Sequence, residues 1–185
     1  EGPVSRLELW RLLQRFTAYG NVAHAKIDFP AEAWGTFREK GGKAFPIYLR
    51  IIDGRAYVSE NYSGLDAVSA GDEILSIDGE PMTDWLGRTS AMISADTPYI
   101  AHSLLESLFP MYLWLVQGER DSYELNLRKN NNRAMQARVS ALTYEELQSQ
   151  VEAAPERFAL DFNARYAGML DNGIAYLRPG PFYNA

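Results

Sequence analysis

The alternation of apolar and polar residues along the first third of the chain predicts a helix, a strand and a β-hairpin. Apolar residues recur at helical spacing in residues 4–16 and alternate strictly with polar ones in residues 22–29, as in a half-buried strand. Residues 45–52 and 55–58 are rich in β-branched and aromatic side chains. Because an Asp-Gly pair separates these two runs, we expect a two-residue hairpin turn between them.

The middle of the chain combines one short strand with a long helical region. Residues 73–77 are apolar and lie between two Gly- and Asp-containing turn signals, which predicts a strand. Helical spacing follows from Trp85, with Thr83 as the expected N-cap, and begins again at Pro98 to continue through Leu115. We therefore expect helical structure over most of residues 83–117.

The last third of the chain predicts a second hairpin, a helix and further strands. Residues 122–128 and 135–142 should pair across a loop of three asparagines, a residue type that tolerates positive φ. Thr143 followed three residues later by a glutamate is a typical helix start, and that helix should end near Pro155. Two more strands are predicted, at residues 158–162 and 173–177.

Composition and charge exclude several classes of function. The chain has 185 residues, of which 46% are hydrophobic and 23% charged, as in folded globular domains. It carries 18 Lys and Arg against 24 Asp and Glu, a net charge of −6 that argues against nucleic acid as a partner. We expect no membrane span, because no apolar run is long enough. The absence of cysteine excludes disulfides and thiol catalysis.

Motifs for metals and cofactors are missing from the sequence. The two histidines, His24 and His102, stand far apart, and the chain contains no His-Glu-x-x-His, calcium loop, phosphate loop or Gly-x-Ser-x-Gly elbow. We therefore expect no metal site and no cofactor. His102 is expected to pack against its neighbours or to face solvent on a helix.

Two segments of the chain resemble a known family. The run Gly-Asp-Glu-Ile-Leu-Ser-Ile-Asp-Gly at residues 71–79 is similar to the hallmark strand of PDZ domains. The order of hairpin, loop, hallmark strand, helix and closing strands resembles the PDZ-like module of tail-specific (C-terminal-processing, tricorn-like) serine peptidases. Residues 174–182 are similar to the segment with which the peptidase core of that family begins.

This resemblance implies an α+β chain with three parts. Residues 1–40 would form an N-terminal helix and strand. Residues 41–142 would form a PDZ-like domain, a β-barrel or sandwich with a long helical insertion. Residues 143–185 would hold a linker helix and the first strands of the peptidase core domain. The resemblance also implies an exported protein, located in the periplasm or secreted.

The same resemblance assigns a chemical role to His24. In the tricorn-like branch, a histidine ahead of the PDZ-like module is the general base, and the nucleophilic serine lies in the core domain behind it. An imidazole with a pKa near ~6.5 can accept a serine proton at neutral pH. Ala23 and Ala25 stand where the branch often carries hydroxyl residues. The chain by itself would lack the nucleophile and be inactive, and a purely structural role for His24 stays open.

Peptide binding by strand addition is the second function that the resemblance implies. The strand edge would come from a short segment: Phe45, Pro46, Ile47, Tyr48 and Leu49. Because proline has no amide proton, Pro46 departs from the usual carboxylate-binding loop. The expected partners are a peptide or unfolded protein substrate and the remaining peptidase core domain. A non-catalytic PDZ-like binding or scaffold module, or a groove covered by the helical insertion, remain alternatives.

Overall fold

The computed structural model describes residues 3–154, 165–170 and 172–179, in two compact units, Glu1–Ala153 and Ala154–Ala185. In the described part, five helices and a six-stranded antiparallel sheet make up the first unit, and the second contains a small hairpin. The predicted α+β class is confirmed. No helix among the described residues has the length and apolar character needed to cross a membrane.

The helices of the first unit agree with the predicted ones except for one addition. Their bounds are α1 Arg6–Ala18, α2 Ala31–Glu39, α3 Met82–Ser90, α4 Pro98–Gln117 and α5 Tyr144–Ala153. Sequence reasoning missed α2, because its N-cap is Pro30 and no side chain caps its first turn. The prediction of Thr83 as the cap of α3 was wrong, since the helix already begins at Met82 behind Pro81. The predicted cap of α5 is confirmed, because Thr143 and Glu146 exchange hydrogen bonds of 2.8 and 3.3 Å.

The strands of the first unit form one antiparallel sheet. Their bounds are β1 Ile47–Ile52, β2 Arg55–Asn61, β3 Glu73–Ile77, β4 Glu80–Pro81, β5 Ser122–Arg128 and β6 Ala134–Ser140. The order is β1-β2-β3-β5-β6, with the short β4 beside β3. Both predicted hairpins are confirmed. At the β1–β2 turn, Asp53 and Gly54 have φ values of 50° and 73°. A two-residue Asp-Gly hairpin turn requires positive φ at both of its central residues.

The two ends of the strand order meet at a single point. Ala44, just before β1, and Leu142, just after β6, form an isolated antiparallel bridge with N–O distances of 2.9 and 3.0 Å. The buried Arg38 of α2 donates to the carbonyls of Gly42 and Leu142 at 2.8 and 2.7 Å. One bridge is not a continuous ladder, so the described residues do not form a closed barrel, which was one of the two forms, barrel or sandwich, that the resemblance implied.

The hydrophobic core lies between the sheet and the long helix α4. Leu105, Phe109 and Leu113 follow one another at four-residue spacing on α4 and are fully buried. The ring of Phe45 packs edge-on against Phe109 and Tyr123, with centroid distances of 5.8 and 4.9 Å. This burial fixes α4 beside β1 and thereby shapes the space between them.

The predicted strand at residues 22–29 is wrong. These residues form a turn and extended loop with no strand partner among the described residues. Side chains of other residues form hydrogen bonds with the backbone of residues 22–29, where a neighbouring strand would otherwise do so. Backbone polar groups need partners, but the pattern of the sequence does not reveal which groups supply them.

The second unit contains β7 Tyr166–Met169 paired with β8 Ala175–Arg178. The observed β8 corresponds to the predicted strand at residues 173–177, and β7 was not predicted. The predicted strand at residues 158–162 lies outside the described residues. The hairpin has Gly173 at a φ of 77° in its connection, a conformation that glycine adopts without strain.

A truncation on the buried face of α4 should show that this face stabilises the fold. Leu105→Ala should lower the free energy of unfolding by about 2–5 kcal/mol, because Leu105 is fully buried and the change leaves a cavity. Its neighbour Leu104 is 45% exposed, and Leu104→Ala should cost no more than about 0.5 kcal/mol. Urea unfolding followed by circular dichroism measures both. Equal losses for the two variants would contradict the assignment.

Removal of the Arg38 guanidinium should weaken the junction of the two sheet ends. Arg38→Met should destabilise the protein by roughly 1.5–3 kcal/mol, the usual value for hydrogen bonds to charged groups. The exposed Arg133 on the β5–β6 connection provides a matched control, and Arg133→Met should leave stability nearly unchanged. Thermal unfolding measures both. In hydrogen exchange, the Ala44 and Leu142 amides should exchange faster in Arg38→Met only.

Candidate functional site

His24 lies on a turn and its side chain is exposed to solvent. It has no hydrogen bond or ion pair with another residue in the described part of the chain. The nearby Lys26 forms an exposed ion pair with Asp28 at 3.9 Å. An exposed imidazole without an internal partner can receive a proton from a group presented by another part of a protein.

Gln14 is the central anchor of the loop that carries His24. Its side chain is 3% exposed, accepts a hydrogen bond from the Ile27 amide at 2.8 Å, and donates to the Met92 carbonyl at 3.0 Å. It also lies 3.3 Å from the Ser94 hydroxyl. A single buried amide therefore ties α1 to both the His24 loop and the connection between α3 and α4.

Three further hydrogen bonds fix the same loop. The Ser94 hydroxyl donates to the Ala25 carbonyl at 2.7 Å, and the Ala23 amide donates to the Asp96 carboxylate at 3.0 Å. Farther along, the Trp10 indole donates to the Asp28 carbonyl at 2.9 Å. The residues on both sides of His24 are thus held while its ring stays exposed. The sequence carried no signal for these anchors, since they come from residues distant along the chain.

The predicted peptide-binding segment lies at the start of β1, and its side chains belong to the core. Phe45, Pro46, Ile47 and Leu49 are buried, and Tyr48 is half-buried. Burial raises the pKa of Tyr48 above its ordinary value. The Pro46 carbonyl already accepts the Tyr62 amide at 3.0 Å. A ligand at this segment could therefore use the backbone edge, but the side chains are occupied by packing.

The opposite end of β1 has an edge that a side chain of α4 occupies. The Ile51 amide donates to one carboxylate oxygen of Glu106 at 2.7 Å, and the Arg50 guanidinium donates to the other at 2.9 Å. Sequence reasoning did not single out these three residues. A contact between a strand and a helix far away in the sequence leaves no local pattern.

Two adjoining cavities lie beside this contact. The first, of about 490 Å³, is lined by Arg50 and Ile51 on the strand side and by Tyr99 and Glu106 on α4. The second, of about 730 Å³, extends to the C-terminal end of α1 and to the residue at position 21, near the His24 turn. Pro98 and His102 line both cavities. His102 was predicted to pack against its neighbours or to face solvent, and it lies on the wall of a groove.

Comparison with known proteins finds similar solved structures, but no similar protein family or curated sequence. No protein-family model matches the chain, and no curated protein matches it. A crystal structure of a CPAF point mutant superposes with a TM-score of 0.55 at 14% identity, covering 95% of this chain and 38% of that one. Mature CPAF complexed with lactacystin gives a TM-score of 0.49 at 18% identity, covering 73% of this chain and 25% of that one.

The chain thus spans well under half the length of the CPAF structures that it matches. CPAF, the chlamydial protease-like activity factor, is a tail-specific-protease-like serine peptidase. At this identity the likeness concerns the fold alone. The chain is structurally similar to part of that peptidase.

Proposed function

We propose that this chain is the N-terminal and PDZ-like portion of a serine peptidase that cleaves peptides or protein tails, with His24 as its general base. The observation that carries the proposal is the anchoring of the His24 turn, which holds the backbone on both sides of an exposed imidazole. The structural similarity to part of CPAF, which extends over 95% of this chain, supports it.

The anchored imidazole suits acyl transfer to a serine supplied by a core domain. The neutral ring of His24 accepts the serine hydroxyl proton as the oxygen attacks the peptide carbonyl. The imidazolium then gives that proton to the leaving amine, and water releases the acyl group by the same route. Each step needs the ring at a fixed distance from a group outside this chain, which is what an anchored and exposed turn provides.

The proposal keeps the functional division expected from the sequence. Residues 1–40 carry the base, residues 41–142 form the PDZ-like module, and residues 143–185 lead into the core domain. The module would bind substrate along the β1 edge, at the predicted segment 45–49 and at the adjoining groove that residues 50–54 form with α4. The enzyme would act in the periplasm or outside the cell.

A non-catalytic peptide-binding or scaffold module is the second candidate. Ala23 and Ala25 leave the base without the adjacent hydroxyl that the tricorn-like branch often has. The groove between β1 and α4 is present whether or not a nucleophile follows. Cleavage by a chain that includes a core domain distinguishes the two candidates.

Replacement of His24 should abolish cleavage. In a chain that continues into the core domain, His24→Ala should lower kcat by about 10²–10⁴-fold, the usual contribution of a positioned general base. Lys26→Ala, an exposed change in the same loop, provides the matched control and should retain activity. Mass spectrometry of peptide products measures both. Cleavage unaffected by His24→Ala would contradict the role of His24, and no cleavage by the wild type would favour the binding module.

Loss of the Gln14 anchor should displace the His24 turn. Gln14→Leu deprives the Ile27 amide and the Met92 carbonyl of their partner and should cost roughly 1–3 kcal/mol of stability. In NMR spectra of the 185-residue chain, the ring signals of His24 should shift. Gln136→Leu, at an exposed position of β6, should leave those signals in place. Unchanged His24 signals in Gln14→Leu would show that the anchor does not position the ring.

A further inference from the structure

The contact between Glu106 and β1 has the composition of a carboxylate-binding site. Two donors of different kinds, the Ile51 amide and the Arg50 guanidinium, each bind one oxygen of the same carboxylate. Charge-assisted hydrogen bonds of this kind are the strong ones. The side chain of Glu106 is 14% exposed, whereas that of Arg50 is 66% exposed and open to solvent.

The Ile51 amide belongs to the free edge of the sheet. β1 is the first strand of the order and pairs with β2 on one side only. Because amides alternate between the two sides of a strand, the bond from Ile51 to Glu106 shows that this amide faces away from β2. Free amides of an edge strand are what an extended peptide uses when it binds a sheet.

We propose that this edge, with the adjoining cavity of about 490 Å³, binds an extended peptide through an acidic side chain, and that Glu106 occupies the place of that side chain. The inference rests on the proposed function in one respect, that the ligand is a peptide. The incoming carboxylate takes the donors of Ile51 and Arg50, and the peptide backbone lies in the cavity against Pro98, Tyr99 and His102.

The charges around the site favour an acidic side chain over a basic or neutral one. Arg50 is the cation beside the Ile51 amide, and Glu106 already satisfies both with a side-chain carboxylate. The other ionisable groups of the cavity are Tyr99 and His102 on α4 and Asp53 at the turn. Once Glu106 leaves, Arg50 has no other ion pair among the described residues, so the departure leaves one uncompensated cation.

The helix turn that carries Glu106 lacks one backbone hydrogen bond. Pro110 lies inside α4, four residues after Glu106, and has no amide to donate to the Glu106 carbonyl. An intramolecular competitor reduces the apparent affinity of a ligand in proportion to the fraction of time that the site is free of the competitor. Glu106 is such a competitor, and it sets how tightly an acidic peptide binds. We call this competing side chain the latch.

Peptide binding by Glu106 variants tests the latch. The probe is a fluorescein-labelled peptide of alternating Thr and Val with one central Glu, acetylated and amidated at its ends, and its counterpart with a central Gln. In fluorescence polarisation with the whole 185-residue chain, Glu106→Ala should bind the Glu peptide at least about tenfold more tightly than the wild type. Glu106→Gln should fall between them, because its amide oxygen can still accept from Ile51.

Two controls locate the effect. Glu80→Ala removes a half-exposed glutamate that pairs with Arg88 outside the groove, and it should bind like the wild type. Arg50→Gln, combined with Glu106→Ala, should bind the Glu and Gln peptides equally.

In hydrogen exchange without peptide, the Ile51 amide should exchange faster in Glu106→Ala, while the Tyr57 amide inside the hairpin should not change. If Glu106→Ala fails to fold, Glu106→Gln carries the same comparison.

Several results would overturn the proposal. They are equal affinities of wild type and Glu106→Ala for the Glu peptide, equal affinities of Glu106→Ala for the Glu and Gln peptides, and no binding by any variant up to about 1 mM peptide. A Gln peptide with a free C-terminus that binds as tightly as the Glu peptide would assign the site to chain ends instead. None of these results affects the role of His24, which cleavage by the longer chain tests separately.

Discussion

The hydrogen bonds that join Ala44 to Leu142 hold the two ends of the sheet together, and the position of β1 beside α4 depends on them. Arg38 adds donors from α2 at the same place. Burial lowers the pKa of Arg38 below its ordinary value, while Tyr48, Tyr144 and Glu146 partly restore it. A buried guanidinium is tolerated only when its hydrogen bonds are made, so this junction has little freedom to rearrange. Phe45 enters the core directly after it and brings β1 under α4.

The candidate base is held by a different kind of interaction. Its loop has no ladder of backbone hydrogen bonds, so side chains from α1 and from residues 94–96 must satisfy its backbone groups. Such polar networks are stringent, because each unsatisfied buried group costs free energy. These hydrogen bonds fix the position of the loop. If residues 22–29 formed a strand, His24 would instead lie beside a neighbouring strand. An irregular but anchored loop leaves the imidazole exposed to a group from outside.

The local elements could be predicted from the sequence, whereas the long-range contacts could not. The Asp-Gly turn and the capping pair of Thr143 and Glu146 act over two to four residues, and the structure reproduces both. The strict alternation of residues 22–29 was misleading, since an alternating pattern forms a strand only where a partner strand is available. The Gln14 anchor and the Glu106 contact join residues that are far apart in the sequence. The bridge between Ala44 and Leu142 likewise joins residues that are far apart in the sequence, so no local pattern predicts it.

The start of α4 connects the two candidate sites. Ser94 and Asp96 hold the His24 turn, and Pro98 begins the helix and lines both cavities. Thr97 between them caps α4 by accepting the Ile100 amide at 3.3 Å, so the connection is itself ordered. A peptide held against Pro98 and His102 would contact residues that lie close in the sequence to those that hold the His24 turn. The same short connection, residues 94–98, therefore supports both the His24 turn and one wall of the groove.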